Sequence, residues 1–383
     1  MAFEFQKVKS HYIIRDKNLT NQNQLITKTN LHMKKLLCIL SLALTTSFTF
    51  AQDEAPETTP LEISGSGDIY YKYDFAKVPN IPTSFATDQN SVSLGMLDIA
   101  LKKKIKNISF VGEVSFGPRG QRQSIPNDPG VVFDENGDLI PNAITSGDSF
   151  HIQNLYATYA FTDKFSMTAG YMGTFIGYEV ISPVANFHYS TSYLFSYGPF
   201  QNAGIKANYA ITEKFGAMVG LFNDSWNSYQ ADSQKGLNAV GGQLSFVADK
   251  ASAYLNFMDG SVSGTIVDLT ATFQLTEKFK LGLNAADFSN EGDVGYTGAA
   301  LYPSVAISDA FALGLRGEYF KFKEGSGDTS VTAFTLSGNY KINGLTIIPE
   351  FRLDSNSEEV FVDSNLAPTK SASQVLIALV YGF

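Results

Sequence analysis

Few side chains in this sequence have the types and spacing that chemistry needs. Histidine is the usual general base near neutral pH. Only His151 and His188 follow residue 51. His188 stands two residues from Ser190, the pair that a hydroxyl nucleophile and its base would require. No nucleophile elbow accompanies them, and a polar loop histidine is the simpler account. Gly65-Ser66-Gly67 lacks the third glycine and the following helix of a phosphate-binding turn, so it reads as strand glycine. Asp134, Asn136 and Asp138 begin like a calcium loop. The loop would continue with glycine at 139 and glutamate at 145, where the sequence has Leu139 and Thr145. An acidic hairpin tip is the better reading, with at most a loosely held external cation. No catalytic residue, metal site or cofactor is expected, and the chain reads as a non-enzyme.

The informative charges are those placed at every second residue. Glu113, Lys206, Asp268, Arg316, Glu318, Glu350 and Arg352 each lie opposite apolar neighbours. In strands, alternate side chains share a face. If the apolar face meets lipid, these seven line a water-filled interior. Charges of both signs there set a transverse field and an ion preference, or pair and solvate the wall. Arg119 and Arg122 open the longest connection, as mouth residues or as a solvated loop base. The segment 181–207 is dense in aromatic and hydroxyl residues yet uncharged until Lys206. A water-exposed loop is normally more polar. Either part of it folds inward, with Asn186, Tyr189, Ser190, Ser192 and Tyr193 narrowing the passage, or it stacks at the outer interface.

The elements that must position these residues are strands. Ile63, Ile69, Tyr71, Tyr73 and Phe75 alternate with Ser64, Ser66, Asp68 and Asp74. Val267, Leu269, Ala271 and Phe273 alternate with Asp268, Thr270, Thr272 and Gln274. Val375, Ile377, Leu379, Tyr381 and Phe383 share one face. This is the strand period. A turn element recurs at 161–165, 211–215, 275–279 and 307–311: an apolar residue, Thr or Ser, an acid, Lys or Ala, then Phe. Shorter turns stand at 106–107, 249–250 and 342–344. Between these lie polar connections near 76–91, 117–148, 179–199, 223–236, 258–263, 288–296, 323–330 and 354–373. Short and long alternate strictly, the layout of short periplasmic turns and long outside loops.

About sixteen strands result, starting near 61, 91, 108, 149, 165, 200, 215, 237, 251, 264, 279, 297, 311, 331, 345 and 373. The expected fold is all-β, a transmembrane antiparallel β-barrel spanning 61–383. Phe165, Phe215, Phe279 and Phe311 would form an interfacial aromatic girdle. Pro303 and Pro349 fall inside expected strands, where a missing donor interrupts the ladder. A bulge is expected at Pro303; nothing in the sequence explains Pro349. A soluble β-sandwich would explain the alternation but not the two kinds of connection.

Composition agrees. Charged residues are 17% of the 383 and aromatics 13%, with 30 Phe, 19 Tyr and one Trp. Soluble domains carry about 25% charge. No apolar run reaches the ~20 residues of a membrane helix. Met33-Lys34-Lys35, the apolar stretch 36–50 and small residues at Thr49 and Ala51 read as a secretory signal cleaved after Ala51. Residues 1–32 read as an upstream extension from a mis-assigned start, and 52–60 as a linker. Residues 1–51 hold seven basic and two acidic side chains against 28 and 37 in the whole chain. The remainder therefore carries -14 rather than -9, and the lone Cys38 leaves with the signal. An acidic chain excludes nucleic acid as a partner.

The run Asn186-Phe187-His188-Tyr189-Ser190-Thr191-Ser192-Tyr193, the step Gly198-Pro199-Phe200, the strand Ala203-Gly204-Ile205-Lys206 and the stretch Leu221 to Trp226 resemble the OmpL-like β-barrel porin-2 family of Bacteroidetes-type Gram-negative outer membranes. The resemblance implies an outer membrane porin of undefined substrate and brings no catalytic residues. Together these readings anticipate a passive diffusion pore for small polar solutes or ions. The alternative is a barrel closed by its loops that serves as a surface adhesion or binding scaffold. The expected partners are the lipid bilayer, small polar solutes and the barrel-assembly machinery, which would read the strand ending at Phe383. A homo-oligomer is left open.

Overall fold

The computed structural model describes residues 59–119, 125–126, 132–133, 139–140, 150–223, 236–261, 263–324 and 327–383. Sixteen strands form the wall: Glu62–Asp74 (β1), Ser91–Ile105 (β2), Ile108–Phe116 (β3), Phe150–Ala160 (β4), Phe165–Gly173 (β5), Gln201–Ala210 (β6), Phe215–Asn223 (β7) and Leu237–Ala248 (β8). The second half follows as Ala251–Gly260 (β9), Gly264–Gln274 (β10), Phe279–Ser289 (β11), Gly295–Ala306 (β12), Phe311–Lys323 (β13), Thr329–Ile342 (β14), Leu345–Asn356 (β15) and Ser371–Gly382 (β16). Each pairs antiparallel with the next, and β16 pairs with β1 over Ser66↔Gly382 to Asp74↔Gln374. Closure leaves no free edge. The even count returns both ends of the wall to the same rim. Every strand begins within two residues of its sequence-based position.

The recurrent turn owes its form to one hydroxyl. Thr162 Oγ1 accepts from the backbone N–H of Phe165 (3.0 Å) and Lys164 (3.2 Å). Thr212 and Thr276 repeat both bonds, and Ser308 Oγ accepts from Phe311 (3.1 Å). Such side-chain turns reverse the chain in few residues. Phe165, Phe215, Phe279 and Phe311 fall on the outward parity of their strands, and Phe161–Phe165 and Phe215–Phe246 have ring centroids 5.4 and 5.1 Å apart. Outward-facing Leu, Ile, Val and Phe remain exposed all round the wall, as a lipid-facing surface requires.

Two expectations change. The connections at the other rim are not uniformly long. Those after β9, β11 and β13 span only 261–263, 290–294 and 324–328, because the strands run further outward than their apolar pattern suggests. The alternation is therefore one of rim, with length varying on the outer side. Pro303 makes no bulge: Leu301↔Gly317 and Ser304↔Gly314 keep one register across it, while Pro303 itself pairs with Leu281 of β11. Pro349 behaves alike. Its ladder to β14 breaks between Glu350↔Ser337 and Ile347↔Tyr340 without a shift, while it pairs with Ile377 of β16. A strand residue's N–H faces one neighbour only, so proline interrupts one ladder and spares the other.

Candidate functional site in the barrel interior

The strand period carries Glu113 (β3), Lys206 (β6), Asp268 (β10), Arg316 and Glu318 (β13), and Glu350 and Arg352 (β15) to the inner face. Register shows this directly: Arg316 lies opposite Thr335, which lies opposite Arg352, and Glu350 lies opposite Ser337. The connection 174–200 between β5 and β6 is also inside. It carries a 3-10 turn at Pro183–Ala185 and one helical turn, Tyr193–Tyr197 (α1). Ser192 caps α1, its Oγ accepting from Phe195 N–H at 3.0 Å.

Wall carboxylates hold this segment by its backbone. Glu350 accepts from the N–H of Tyr189 (2.9 Å) and Ser190 (3.2 Å). Glu318 accepts from the N–H of Tyr193 (3.0 Å) and Leu194 (2.8 Å). Within the segment, Glu179 accepts from the N–H (2.8 Å) and Oγ (2.9 Å) of Ser192. Wall arginines take the carbonyls. Arg316 Nη1 donates to Glu179 (2.7 Å) and to Ser190 O (2.6 Å). Arg352 donates to Thr191 O (2.8 Å), Thr83 Oγ1 (3.0 Å) and Asp354 (2.8 and 2.9 Å). Arg119 Nε donates to Ile181 O (2.7 Å), and its guanidinium lies 4.6 and 4.9 Å from the rings of Phe85 and Tyr189. Tyr189 OH donates to Asp68, and Tyr193 OH to Asp354 at 2.9 Å. Charged groups taken from water persist only when paired and hydrogen-bonded. Here each excess carboxylate is met by backbone N–H groups.

Glycines on the inner wall make room for the segment's rings. A Cβ on Gly314 would lie 2.3 Å from Phe187, one on Gly282 2.2 Å from Tyr178 Oη, and one on Gly241 2.7 Å from Phe175. Phe175 and Tyr178 pack against a buried cluster that includes Tyr193, Phe222, Tyr296 and Phe320.

Of the five segment residues singled out in the sequence, Tyr189, Ser190, Ser192 and Tyr193 are buried against the wall. Asn186 is half-buried and ties the segment to itself, its amide bonding both N–H (3.0 Å) and C=O (2.6 Å) of Val180. Arg316, Glu318, Glu350 and Arg352 meet the segment. Asp268 accepts from Gly177 N–H (3.0 Å) and from Asn256 (2.7 Å) and Asn284 (2.6 Å). Glu113 bonds Asn154 instead (2.6 Å), and Lys206 makes no side-chain bond among the described residues. Arg122, Asp134, Asn136 and Asp138 lie outside the described residues.

Ser190 is not paired with His188. His188 Nδ1 lies 2.7 Å from Ser337 Oγ, which donates onward to Glu350 (2.8 Å). The histidine must therefore donate, the reverse of the direction a nucleophilic serine needs. Burial, followed by the nearby Arg316 charge, holds His188 well below its usual pKa and keeps it neutral. Glu179, Asp68, Asp354 and the glycine seats were not found from sequence. Glu179 carried a signal, as an isolated acid immediately before a long uncharged stretch. The glycines carried none, since strand glycine has many causes.

The family model described as "Putative beta-barrel porin-2, OmpL-like" matches residues 60–383. Among solved structures, OmpF of Salmonella typhi in complex with daunomycin aligns with a TM-score of 0.56 at 10% identity, covering 84% of this chain and 97% of that one. Outer-membrane expressed OmpT of Vibrio cholerae aligns at 0.54 and 10%, covering 88% and 100%. The trimer form of in-vitro folded Vibrio cholerae OmpT aligns at 0.52 and 11%, covering 85% and 99%. No curated protein matches the sequence. At these identities the structural likeness speaks for the fold alone.

Proposed function

The chain belongs to the OmpL-like β-barrel porin-2 family, an outer membrane porin family, and from that premise we propose that it is a passive diffusion channel for small polar solutes. The observation that carries the reading is the one-sided placement of segment 174–200. Its bonds run to β1, β8, β10, β13, β14 and β15, and to Arg119 just beyond β3. The inner faces of β3 to β6 carry Glu113, Thr158, Thr168, Lys206 and Asn208, and among the described residues none of these side chains bonds to the segment. Thr158 and Thr168 bond each other at 2.8 Å. At the short-turn rim of this side lies a cavity of about 760 Å³ lined by Ser109, Thr158, Ser166 and Asn208. The solute path in this reading runs between the pinned segment and that polar wall, with Glu113 and Lys206 facing it. Arg316 and Arg352 hold the segment, and the passage is narrowed by its fold as a whole.

Planar-bilayer recording of the refolded full chain tests the reading. Stepwise, solute-permeable conductance is expected, and folded protein that never passes current would overturn it. The proposal extends to export with cleavage after Ala51, to recognition of the strand ending at Phe383 by the assembly machinery, and to self-association. The neighbouring structure solved as a trimer supports the last.

A further inference from the structure

Besides Lys72, Lys102 and Lys206, the inward-facing cations form two groups. Arg119, Arg316 and Arg352 in the middle of the barrel are bonded to carbonyls and carboxylates, with only Arg119 Nη1 and Arg316 Nε left without a partner among them. Lys104, Lys280 and Lys341 are different. Each lies on the inward parity of its strand, within three residues of a short turn, opposite Ser109, Ser304 and Thr346 respectively. Each is exposed, and none makes a side-chain hydrogen bond or ion pair among the described residues. Lys280 and Lys341 line one cavity of about 760 Å³ together with Asn186 and Asn339. Lys104 lines the second cavity of about 760 Å³ at the same rim.

Of the acids near this rim, Asp98 and Glu62 have side-chain donors, whereas Asp163, Glu213, Asp249, Glu277 and Asp309, in the turns themselves, make no side-chain hydrogen bond or ion pair among the described residues. Asp98, in the first cavity, accepts from Ser66 Oγ, and the Phe383 carbonyl oxygen accepts from Gly65 N–H at 3.0 Å. Glu62 pairs with Lys102 at 3.5 Å. Asp163, in the second cavity, stands beside Lys164 and Lys106 as well as Lys104. Unpaired ammonium groups are compact point charges on flexible stems. Set in concave, low-dielectric walls, they focus potential and concentrate counter-ions. Screening over roughly 8 Å confines that effect to the rim itself.

We propose that the short-turn rim is an oxyanion-binding vestibule, in which Lys280 and Lys341, with Lys104 across the lumen, collect small phosphate- or carboxylate-bearing solutes. Asn186 and Asn339 line the same cavity, their amide nitrogens already donating to Val180 O (2.6 Å) and Phe187 O (2.9 Å) and keeping one N–H each. This inference names a solute class for the proposed channel and rests on that reading. The anion preference of the pore then comes from the exposed rim lysines, joined by Lys206 along the path, while the central arginines are buried against the segment.

The full chain folded in a non-ionic detergent is titrated with inorganic phosphate and followed by phosphorus NMR line width at low ionic strength. Saturable broadening is expected. It should weaken at least fivefold in the Lys104→Gln, Lys280→Gln, Lys341→Gln triple variant and stay unchanged in Lys214→Gln, a turn lysine. If the triple variant does not fold, Lys280→Gln and Lys341→Gln are read singly, each expected to weaken binding. Absence of saturable broadening, or equal loss in Lys214→Gln, overturns the vestibule. In bilayers under a salt gradient, the triple variant should shift the reversal potential toward cations, and an unshifted potential also counts against the vestibule. A protein that binds phosphate yet passes no current would reject the channel and keep the site.

Discussion

Arg316 on the barrel wall and Glu179 at the start of the inner segment form a buried ion pair, with Nη1 and Oε1 2.7 Å apart. They are 137 residues apart in the chain, so the pair exists only once the barrel has closed. It fixes the segment from below while Ser190 O takes the same nitrogen at 2.6 Å. Removing one partner of such a pair is destabilising by roughly 3–5 kcal/mol, while replacing both is often close to neutral. Arg316→Met should therefore lower the unfolding temperature and enlarge the conductance. Arg316→Met with Glu179→Met should recover most of the stability. Additive losses in the double variant would show that the two residues act separately.

Glu318 offers two oxygens to two backbone N–H groups at the start of α1. Glu318→Gln replaces one acceptor by an amide NH₂, which faces a donor. The expected cost is about 1–3 kcal/mol, localised to the segment. Limited chymotrypsin digestion should cut faster at Tyr193 and Leu194, with the far-UV strand signal unchanged. An unaltered cleavage rate would mean that the helical turn holds without its wall carboxylate.

Gly282 seats Tyr178 so closely that any side chain must displace the ring. Gly282→Leu should cost about 1–3 kcal/mol by overpacking and raise hydrogen exchange across 174–180. Adding Tyr178→Ala should relieve most of that penalty. Without such relief, the glycine would matter to the strand rather than to the segment.

Acid should loosen the segment through His188. Its folded-state pKa is lowered by burial and by Arg316; the unfolded value is about 6.5. The unfolded or undocked state then binds the extra proton as pH falls below about 6.5. Stability is intact above that pH and is lost progressively toward the folded pKa. Glu350, reached through Ser337, is the carboxylate nearest the ring along the hydrogen-bond chain, and Arg316 and Arg352 oppose its protonation. Conductance noise of the wild type should rise on acidification below pH 6.5, and His188→Asn should flatten that dependence. Equal pH profiles would place the sensitivity in another group.

The strands were legible because their cause is local. Alternation, the Thr-capped turns and the recurring Phe each operate within a few residues, so sixteen starts could be read to within two positions. The same parity put Arg316, Glu318, Glu350 and Arg352 on one face, since a strand fixes which side a residue takes.

What parity cannot say is what stands opposite that face. Whether Arg352 meets water or Thr191 O depends on how segment 174–200 returns into a cylinder closed by residues from both ends of the wall. Gly314 became a seat for Phe187 only when β13 was brought against a ring 127 positions earlier in the sequence. The sequence by itself determined the wall, its two rims and the direction of the wall side chains away from the register shifts in β2, β4 and β8, because these follow from the pleat and from turns of few residues. The tertiary structure alone decided which interior charges are consumed in holding the segment and which lysines stay free at the rim. That division depends on contacts across the lumen, and no local pattern encodes them.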